Sequence, residues 1–260
     1  MGGQVRIERH GGLGWIIFDH GQRRNAISAE MWQAIPAAAQ TLDEDPDIRV
    51  VIMRGAGDVA FVSGADISEF EQQRSGVGAE EYDQQNARAF FALATLSKPL
   101  IALIHGFCVG GGCALSLTAD LRYAANDAVF AIPAARLGLG YHAAGLEMLV
   151  NIVGQAAAKE IFFTARRFTA AEALRMGLVN QVVPKAELDG FVQRTAEEIA
   201  ANAPLTIRSA KLILGELRRE PEQRNYTAMA ESVRACYASG DYAEGVRAFL
   251  EKRRPAFQGR

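Results

Sequence analysis

Two glycine-containing segments present backbone N–H groups that could bind an oxygen atom. In "GFCVGGGCALSLTAD", residues 106–120, three consecutive glycines separate an apolar run from a predicted helix. In "FVSGADISEF", residues 61–70, Gly64, Ala65 and Asp66 lead into another predicted helix start. The first N–H groups of a helix have no acceptor within it, and glycine lets a ligand approach the main chain. Two such turns together would form an oxyanion hole that stabilises an enolate. The alternative is two tight turns selected for packing.

Side chains with metal-binding or nucleophilic chemistry are few and scattered. The three cysteines form no CxxC pair, and the four histidines have no metal-ligand spacing, so we expect no metal site. A glycine pattern at residues 55–60 imitates a dinucleotide fingerprint, but no helical period follows it. We expect His105 and Cys113 to be core or turn residues and Glu147 to be solvated.

The composition excludes several classes of partner. The chain has 260 residues, 49% of them hydrophobic, which is enough for a sizeable core. A formal net charge of −2 gives no indication of nucleic acid or an anionic membrane as partner. Sparse cysteines without a leader segment indicate a reducing compartment, and we expect a cytoplasmic protein. Residues 100–117 are nearly free of charge, but His105 and the glycines favour a strand, a turn and a buried helix over a membrane span.

The elements that must position these segments alternate between strands and helices in the first half of the chain, which predicts sheets covered by helices. Strands are predicted at residues 14–20, 47–55, 98–106, 121–133 and, late in the chain, 178–184. Ser28 is the predicted N-cap of a helix in which Pro36 is unfavourable. A capping box from Thr169 to Glu172 predicts a further helix start. From Lys185 onward the pattern is that of amphipathic helices.

Four segments carry a resemblance to a known family. They are "SGADI" (63–67), "GGGCALSLTADLRYAANDAVF" (110–130), "LGLGYHAAG" (137–145) and "FFTARRFTAAEALRMGLVNQVV" (162–183). In order and spacing they resemble the crotonase, or enoyl-CoA hydratase/isomerase, superfamily over nearly the whole chain. The resemblance implies an α/β fold, a spiral of ββα units with a helical C-terminal region that mediates trimerisation. It divides the chain into a core with the acyl-CoA site, residues 1–200, and a helical region that packs on a neighbouring subunit, residues 201–260.

The resemblance also implies a substrate and a site. The substrate would be an acyl-CoA thioester of the kind found in fatty acid metabolism, with no cofactor beyond its own coenzyme A. The protein would be a homotrimer or a dimer of trimers. The thioester carbonyl would accept hydrogen bonds from the N–H groups of Ala65 and Gly111. The positions that match substrate-binding segments are Arg24, Ala26, Ser63, Asp66, Ile67, Gly110, Ala114, Ala134 and Leu137. For Asp66, helix capping is the alternative.

Two alanines depart from the family pattern. Family hydratases usually carry two catalytic glutamates, and the matching positions here are Ala114 and Ala134. Acid–base hydration uses two carboxylates that hold a water, and alanine cannot transfer a proton. Tyr141 and His142 match positions that are functional in some relatives, so they are the candidate acid–base or pocket residues. A packing role for Tyr141 and a surface position for His142 are the alternatives.

These observations lead to two classes of function. The first is an enzyme that stabilises an acyl-CoA enolate: an enoyl-CoA hydratase, an enoyl-CoA isomerase or a decarboxylase of a malonyl-type thioester. The second is a non-catalytic scaffold that binds acyl-CoA without turnover, which the two alanines favour.

Overall fold

Two sheets form the centre of the protein. The computed structural model describes residues 2–66 and 77–260. The larger sheet has the order β1-β2-β3-β5-β7-β10, with the strands Gln4–His10, Leu13–Asp19, Val50–Gly55, Leu100–Ile104, Leu121–Ala125 and Gln181–Val183. The smaller sheet has the order β4-β6-β8-β9, with the strands Ala60–Val62, Phe107–Val109, Val129–Ala131 and Phe168–Thr169. Each sheet is mixed: β1–β2 and β8–β9 are antiparallel pairs, and the other pairs are parallel.

The chain alternates between the sheets. Strands β3, β5 and β7 each enter the larger sheet, and the next strand, β4, β6 or β8, enters the smaller one. The predicted strand over residues 121–133 is therefore two strands. A turn in which Ala128 N donates to Ala125 O, at 3.0 Å, separates them. This alternation confirms the predicted spiral of ββα units.

Nine α-helices occupy the described part of the chain. In chain order they are α1 Ala29–Glu44, α2 Val77–Ala94, α3 Gly111–Leu117, α4 Ala143–Thr164, α5 Ala170–Arg175, α6 Leu188–Ala200, α7 Pro204–Leu217, α8 Tyr226–Tyr237 and α9 Gly240–Leu250. Ser28 caps α1 as predicted, and α1 continues through Pro36. The predicted capping box between Thr169 and Glu172 opens α5. None of the described helices combines the length and apolar character that a bilayer span needs.

The larger sheet is covered on both faces. Every residue of β5 is buried, which explains its continuous apolar sequence. Leu100, Ala102 and Ile104 belong to the core that also contains side chains of α1 and α2. Ile101 and Leu103 belong to a second core with α6. The segment 100–117 contains the predicted strand, turn and short buried helix, together with a second strand, Phe107–Val109, that was not predicted.

The C-terminal tail is attached to the core by hydrogen bonds. Arg49, at the start of β3, donates from its two Nη atoms to Ala200 O at 3.2 Å and Phe257 O at 2.7 Å. The buried carboxylate of Asp241 accepts from the N–H groups of Gln258 and Gly259. Helices α7 to α9 nevertheless keep large apolar side chains in solvent, including Phe249 at 84% and Leu250 at 75% exposure. The division into residues 1–200 and 201–260 stays a prediction.

Candidate active site

The three consecutive glycines have three different surroundings. Gly110 has a φ of +54° and donates its N–H to Ala131 O at 2.8 Å. A methyl group on Gly112 would lie 2.2 Å from the carbonyl oxygen of Val62, so packing against β4 excludes any side chain there. A methyl group on Gly111 would lie 3.3 Å from the ring of Trp32 and 3.7 Å from the nitrogen of Ala65. The middle glycine therefore faces the second glycine-containing turn.

The two turns lie side by side. A methyl group on Gly64, whose φ is +129°, would lie 3.6 Å from Val109 O, and one on Gly110 would lie 3.9 Å from the Cα of Gly64. A strand-like bridge joins the second turn to Ile27. Ile27 N donates to Gly64 O and Asp66 N donates to Ile27 O, each at 2.9 Å. This bridge leaves the N–H of Ala65 without an acceptor among the described residues, and the N–H of Gly111 likewise has none there. Two adjacent donors are thus available to one oxygen atom, which is the arrangement of an oxyanion hole.

The segment that contains Arg24 and Ala26 borders these donors. Ser63 N donates to Arg24 O at 3.2 Å, and its Oγ donates to Arg23 O at 3.0 Å. Arg24 has a left-handed backbone with φ +50°, and its guanidinium lies 5.0 Å from the ring centroid of Phe107. Ala26 is buried. The structure therefore brings Arg24, Ala26 and Ser63, predicted from separate segments, next to Ala65.

The predictions for Asp66, Ile67 and Leu137 compare with the structure in different ways. Asp66 is 8% exposed, and its Oδ1 lies 3.9 Å from Arg23 Nη1. Ile67, and the helix start that Asp66 was predicted to cap, lie outside the described residues. Leu137 is 58% exposed and follows a short 3₁₀ turn.

No carboxylate replaces the two missing glutamates at their own positions. Ala114, in α3, is 5% exposed, and Ala134, in the 3₁₀ turn after β8, is 4% exposed. Both side chains are buried methyl groups, and a methyl group cannot exchange a proton. Proton transfer would have to come from another part of the site.

His142 and Tyr141 stand at the start of α4 in different environments. Tyr141 is half-buried and packs edge-on against Phe162, with ring centroids 4.8 Å apart. His142 is the N-cap residue of α4, and its side chain is 80% exposed. Its Nε2 lies 3.0 Å from Asp83 Oδ2 on α2. The imidazole is therefore open to solvent, with the carboxylate of Asp83 within hydrogen-bonding distance.

Two contacts link the oxyanion hole to α2, the helix that also carries Asp83. The ring of Trp32, which faces Gly111, donates from Nε1 to the hydroxyl of Tyr82 at 3.1 Å. Tyr82 is buried on α2 and directly precedes Asp83. Sequence reasoning did not identify Trp32, Tyr82 or Asp83. No motif marks them, because Trp32 and Tyr82 are 50 residues apart in the chain and meet only through the packing of α1 on α2.

The cysteines beside the glycine turn are structural. Cys108 is fully buried and Cys113 is 2% exposed. Burial raises the pKa of the Cys108 thiol well above its ordinary value, so it is not a thiolate nucleophile. His105 is buried, as predicted, with Nε2 3.3 Å from Asp189 Oδ2. Glu147 is exposed, as predicted. In the described part of the chain, no group of three or more His, Cys, Asp or Glu side chains could hold a metal ion.

This fold, with two backbone donors facing each other across two glycine turns, defines a protein of the crotonase class. The chain belongs to the enoyl-CoA hydratase/isomerase family, whose model matches residues 8–260.

Two similar curated proteins span nearly the same length. The crotonyl-CoA hydratase of Syntrophomonas wolfei is 34% identical over 253 residues, which are 97% of each chain. The peroxisomal Delta(3,5)-Delta(2,4)-dienoyl-CoA isomerase of Arabidopsis thaliana is 35% identical and covers 93% of this chain and 91% of its own. The chain is therefore an enzyme of the hydratase/isomerase family by similarity to both kinds of relative.

Solved structures agree with the fold. An enoyl-CoA hydratase/carnithine racemase from Magnetospirillum magneticum superposes with a TM-score of 0.94 at 34% identity, over 98% of this chain and 96% of that one. An enoyl-CoA hydratase/isomerase family protein from Hyphomonas neptunium gives 0.93 at 36% identity, over 98% of each chain. The expected family and fold are confirmed; the roles of individual residues stay predictions.

Proposed function

We propose that the protein acts on an acyl-CoA thioester and stabilises its enolate with the N–H groups of Ala65 and Gly111. The observation that carries the proposal is the juxtaposition of the two turns, which leaves both N–H groups without an acceptor in the described chain. Donors that are already in place stabilise the charge that develops on a carbonyl oxygen at the moment of reaction. The relatives named as crotonyl-CoA hydratase and short-chain-enoyl-CoA hydratase support an enoyl-CoA substrate.

The substrate would extend along the residues that border the donors. In this proposal Arg24, Ala26 and Ser63 contact the coenzyme A portion, together with Asp66 and Ile67. The acyl group lies against Gly110, Ala114, Ala134 and Leu137. Coenzyme A enters as part of the substrate, and the reaction uses no further cofactor.

The proposed reaction is of the enoyl-CoA hydratase/isomerase type, with His142 as the group that transfers protons. Since Ala114 and Ala134 cannot exchange a proton, the acid–base group must be another side chain near the donors. Imidazole exchanges protons near neutral pH. The carboxylate of Asp83, 3.0 Å from Nε2, orients the ring. For hydration, His142 would take a proton from a water molecule whose oxygen bonds to Cβ, and the Cα–Cβ double bond would open to the enolate held by Ala65 and Gly111. His142 would then return the proton to Cα. Tyr141 would line the pocket.

A homotrimer, or a dimer of trimers, is the proposed assembly, in the cytoplasm. The support is the apolar surface of the C-terminal helices. Side chains on α7, α8 and α9 line one groove of about 670 Å³. Several of its large apolar side chains are more than half exposed, among them Tyr237, Tyr242, Phe249 and Leu250. A surface of this kind is typical of subunit interfaces.

A second candidate function is a scaffold that binds acyl-CoA without turnover. The observation that favours it is that alanine, which cannot transfer a proton, occupies the two family positions 114 and 134. In the scaffold, the oxyanion hole would serve binding alone. A malonyl-type decarboxylase remains an alternative reaction, because loss of carbon dioxide needs an enolate site but no pair of acids.

The test is mass spectrometry of crotonyl-CoA and methylmalonyl-CoA after incubation with the wild type and His142→Ala. The control is His10→Ala, which removes another exposed histidine, on β1. We expect crotonyl-CoA to gain one water with the wild type and His10→Ala, and the gain to be lost in His142→Ala. If methylmalonyl-CoA instead loses carbon dioxide, the proposed reaction is decarboxylation and not hydration. If masses and double-bond positions are both unchanged while acyl-CoA binds, the scaffold function is correct.

A further inference from the structure

A second cavity, of about 200 Å³, lies at the amino-terminal ends of β3 and β5. The loop between α6 and α7 and the last residues of the chain complete its wall. Its charged lining residues are Arg49, Lys98 and Arg208, and no carboxylate of the described chain lines it. The amides of Asn202 and Gln258 contribute further polar groups. None of the residues predicted for the acyl-CoA site lines this cavity.

Lys98 is a buried cation without a carboxylate on its ammonium group. Its side chain is among the largest fully buried ones, at 1% exposure. Its Nζ donates to Leu42 O at 2.7 Å and to Asp45 O, both at the carboxyl end of α1. Burial lowers the pKa of this ammonium group. A lysine is almost never fully buried unless it is paired. Here the hydrogen-bond partners of the ammonium group are main-chain carbonyls, and the carboxylates of Asp43 and Asp45 act on it only through their charge.

The other two cations are also uncompensated by direct ion pairs. Arg49 donates only to main-chain carbonyls, those of Ala200 and Phe257. Arg208, on α7, is exposed, and none of the ion pairs of the described residues includes it. Neither nearby acid makes a direct ion pair with the ammonium of Lys98: Asp43 Oδ1 accepts from Ser97 N and Oγ and from the main-chain N–H of Lys98, and Asp45 Oδ2 pairs with Arg9. Asp43 and Asp45 offset part of the charge of Lys98 from outside the cavity, whereas the residues that line the cavity include three cations and no carboxylate in the described chain.

We propose that this cavity binds a small phosphoryl-type oxyanion, held by Arg208 and the ammonium of Lys98, with Arg49 at its rim. Guanidinium and ammonium groups form short, charge-assisted hydrogen bonds with such oxygens. The volume accommodates one tetrahedral anion, and the anion compensates the charge of Lys98. Because Phe257 O and Gln258 belong to the same wall, the bound anion also links the core to the C-terminal tail.

The experiment is isothermal titration of the full chain with inorganic phosphate at constant ionic strength. The variant is Arg208→Gln, which leaves the buried groups in place. The control is Arg218→Gln, an exposed arginine at the end of the same helix with no described ion pair. Each titration is repeated with saturating coenzyme A, since phosphate groups of that ligand would compete at the acyl-CoA site.

We expect one saturable phosphate site per chain, weakened about tenfold in Arg208→Gln, unchanged in Arg218→Gln and unchanged by coenzyme A. A parallel titration with glycerol 3-phosphate distinguishes two kinds of ligand. Tighter binding of inorganic phosphate indicates a free anion, and tighter binding of glycerol 3-phosphate indicates a phosphate ester. Three results would overturn the site: displacement of phosphate by coenzyme A, an equal phosphate affinity in Arg208→Gln and the wild type, or the absence of saturable binding. Since the measurement involves no turnover, its failure is separate from failure of the proposed enzyme activity.

Discussion

Replacing Gly111 by alanine tests the oxyanion hole with a single methyl group. The methyl carbon would lie 3.7 Å from Ala65 N, whereas an oxygen that accepts from that nitrogen lies about 2.9 Å away. We therefore expect the methyl group and the thioester oxygen to compete for the same space. Loss of one oxyanion donor lowers kcat by about 10²–10³-fold, and we expect Gly111→Ala to lose activity on this scale.

The same substitution should leave the fold intact. The nearest atom to the new methyl is Trp32 Cζ2 at 3.3 Å, a contact that the ring relieves by moving a few tenths of an ångström. At Gly112 the corresponding methyl would be 2.2 Å from Val62 O, a main-chain atom that cannot move away. We expect Gly112→Ala to cost about 3 kcal/mol or more of unfolding free energy, and Gly111→Ala to cost less than about 1 kcal/mol.

The assay combines urea unfolding with steady-state kinetics on the acyl-CoA that the mass spectrometry identifies. The control is Gly215→Ala on α7, where the added methyl meets no atom within 4 Å. That variant should gain about 0.5–1 kcal/mol from helix propensity and keep full activity. A folded Gly111→Ala enzyme with kcat within about threefold of the wild type would refute the reasoning, because a loss of that size lies far below the effect of an oxyanion donor.

Three further predictions follow from contacts elsewhere in the structure. Asp83→Asn should lower kcat by about two- to fivefold at unchanged KM, because an exposed ion pair contributes about 0.5–1 kcal/mol, and Asp83→Glu should restore it. An unchanged kcat would contradict the orienting role. The Thr169 N–H and the Arg166 guanidinium hold the pKa of Glu172 at about 2, below its ordinary 4.5. The stability that Glu172 contributes is therefore present above pH 4.5 and lost as the pH falls through about 2. The free energy of unfolding of Glu172→Gln should depend less on pH in that window than that of the wild type. An identical pH dependence of the variant and the wild type would contradict this. Phe249→Asp should reduce the oligomer mass in light scattering if α9 lies in a subunit interface, and an unchanged mass would remove Phe249 from it.

Local sequence patterns predicted the elements that short-range physics determines. The Ser28 cap and the Thr169–Glu172 capping box are contacts between residues three apart, so the sequence contains both partners. The apolar run of β5 predicted a strand buried on both faces. The segment 121–133 was predicted as one strand, because the pattern does not show that β7 and β8 belong to different sheets.

The candidate site was predictable where it depends on the backbone and unpredictable where it depends on side chains from distant segments. Three adjacent glycines indicate a close approach at residues 110–112 without any knowledge of the partner. Asp83, by contrast, is one of several acids on α2. Only its contact with His142, 59 residues away in the chain, distinguishes it from the others. Lys98 was not noticed either, because its burial depends on the carbonyl groups at the end of α1.

The most direct test of the central claim is the ¹³C NMR shift of crotonyl-CoA labelled at the thioester carbonyl, free and bound. Two N–H donors polarise the carbonyl whether or not a proton is then transferred, so the measurement does not depend on the acid–base group. We predict a downfield shift on binding to the wild type and to His142→Ala, and a smaller shift on binding to Gly111→Ala. A bound carbonyl with the chemical shift of the free thioester would show that Ala65 and Gly111 do not hold the oxygen, which would contradict the account.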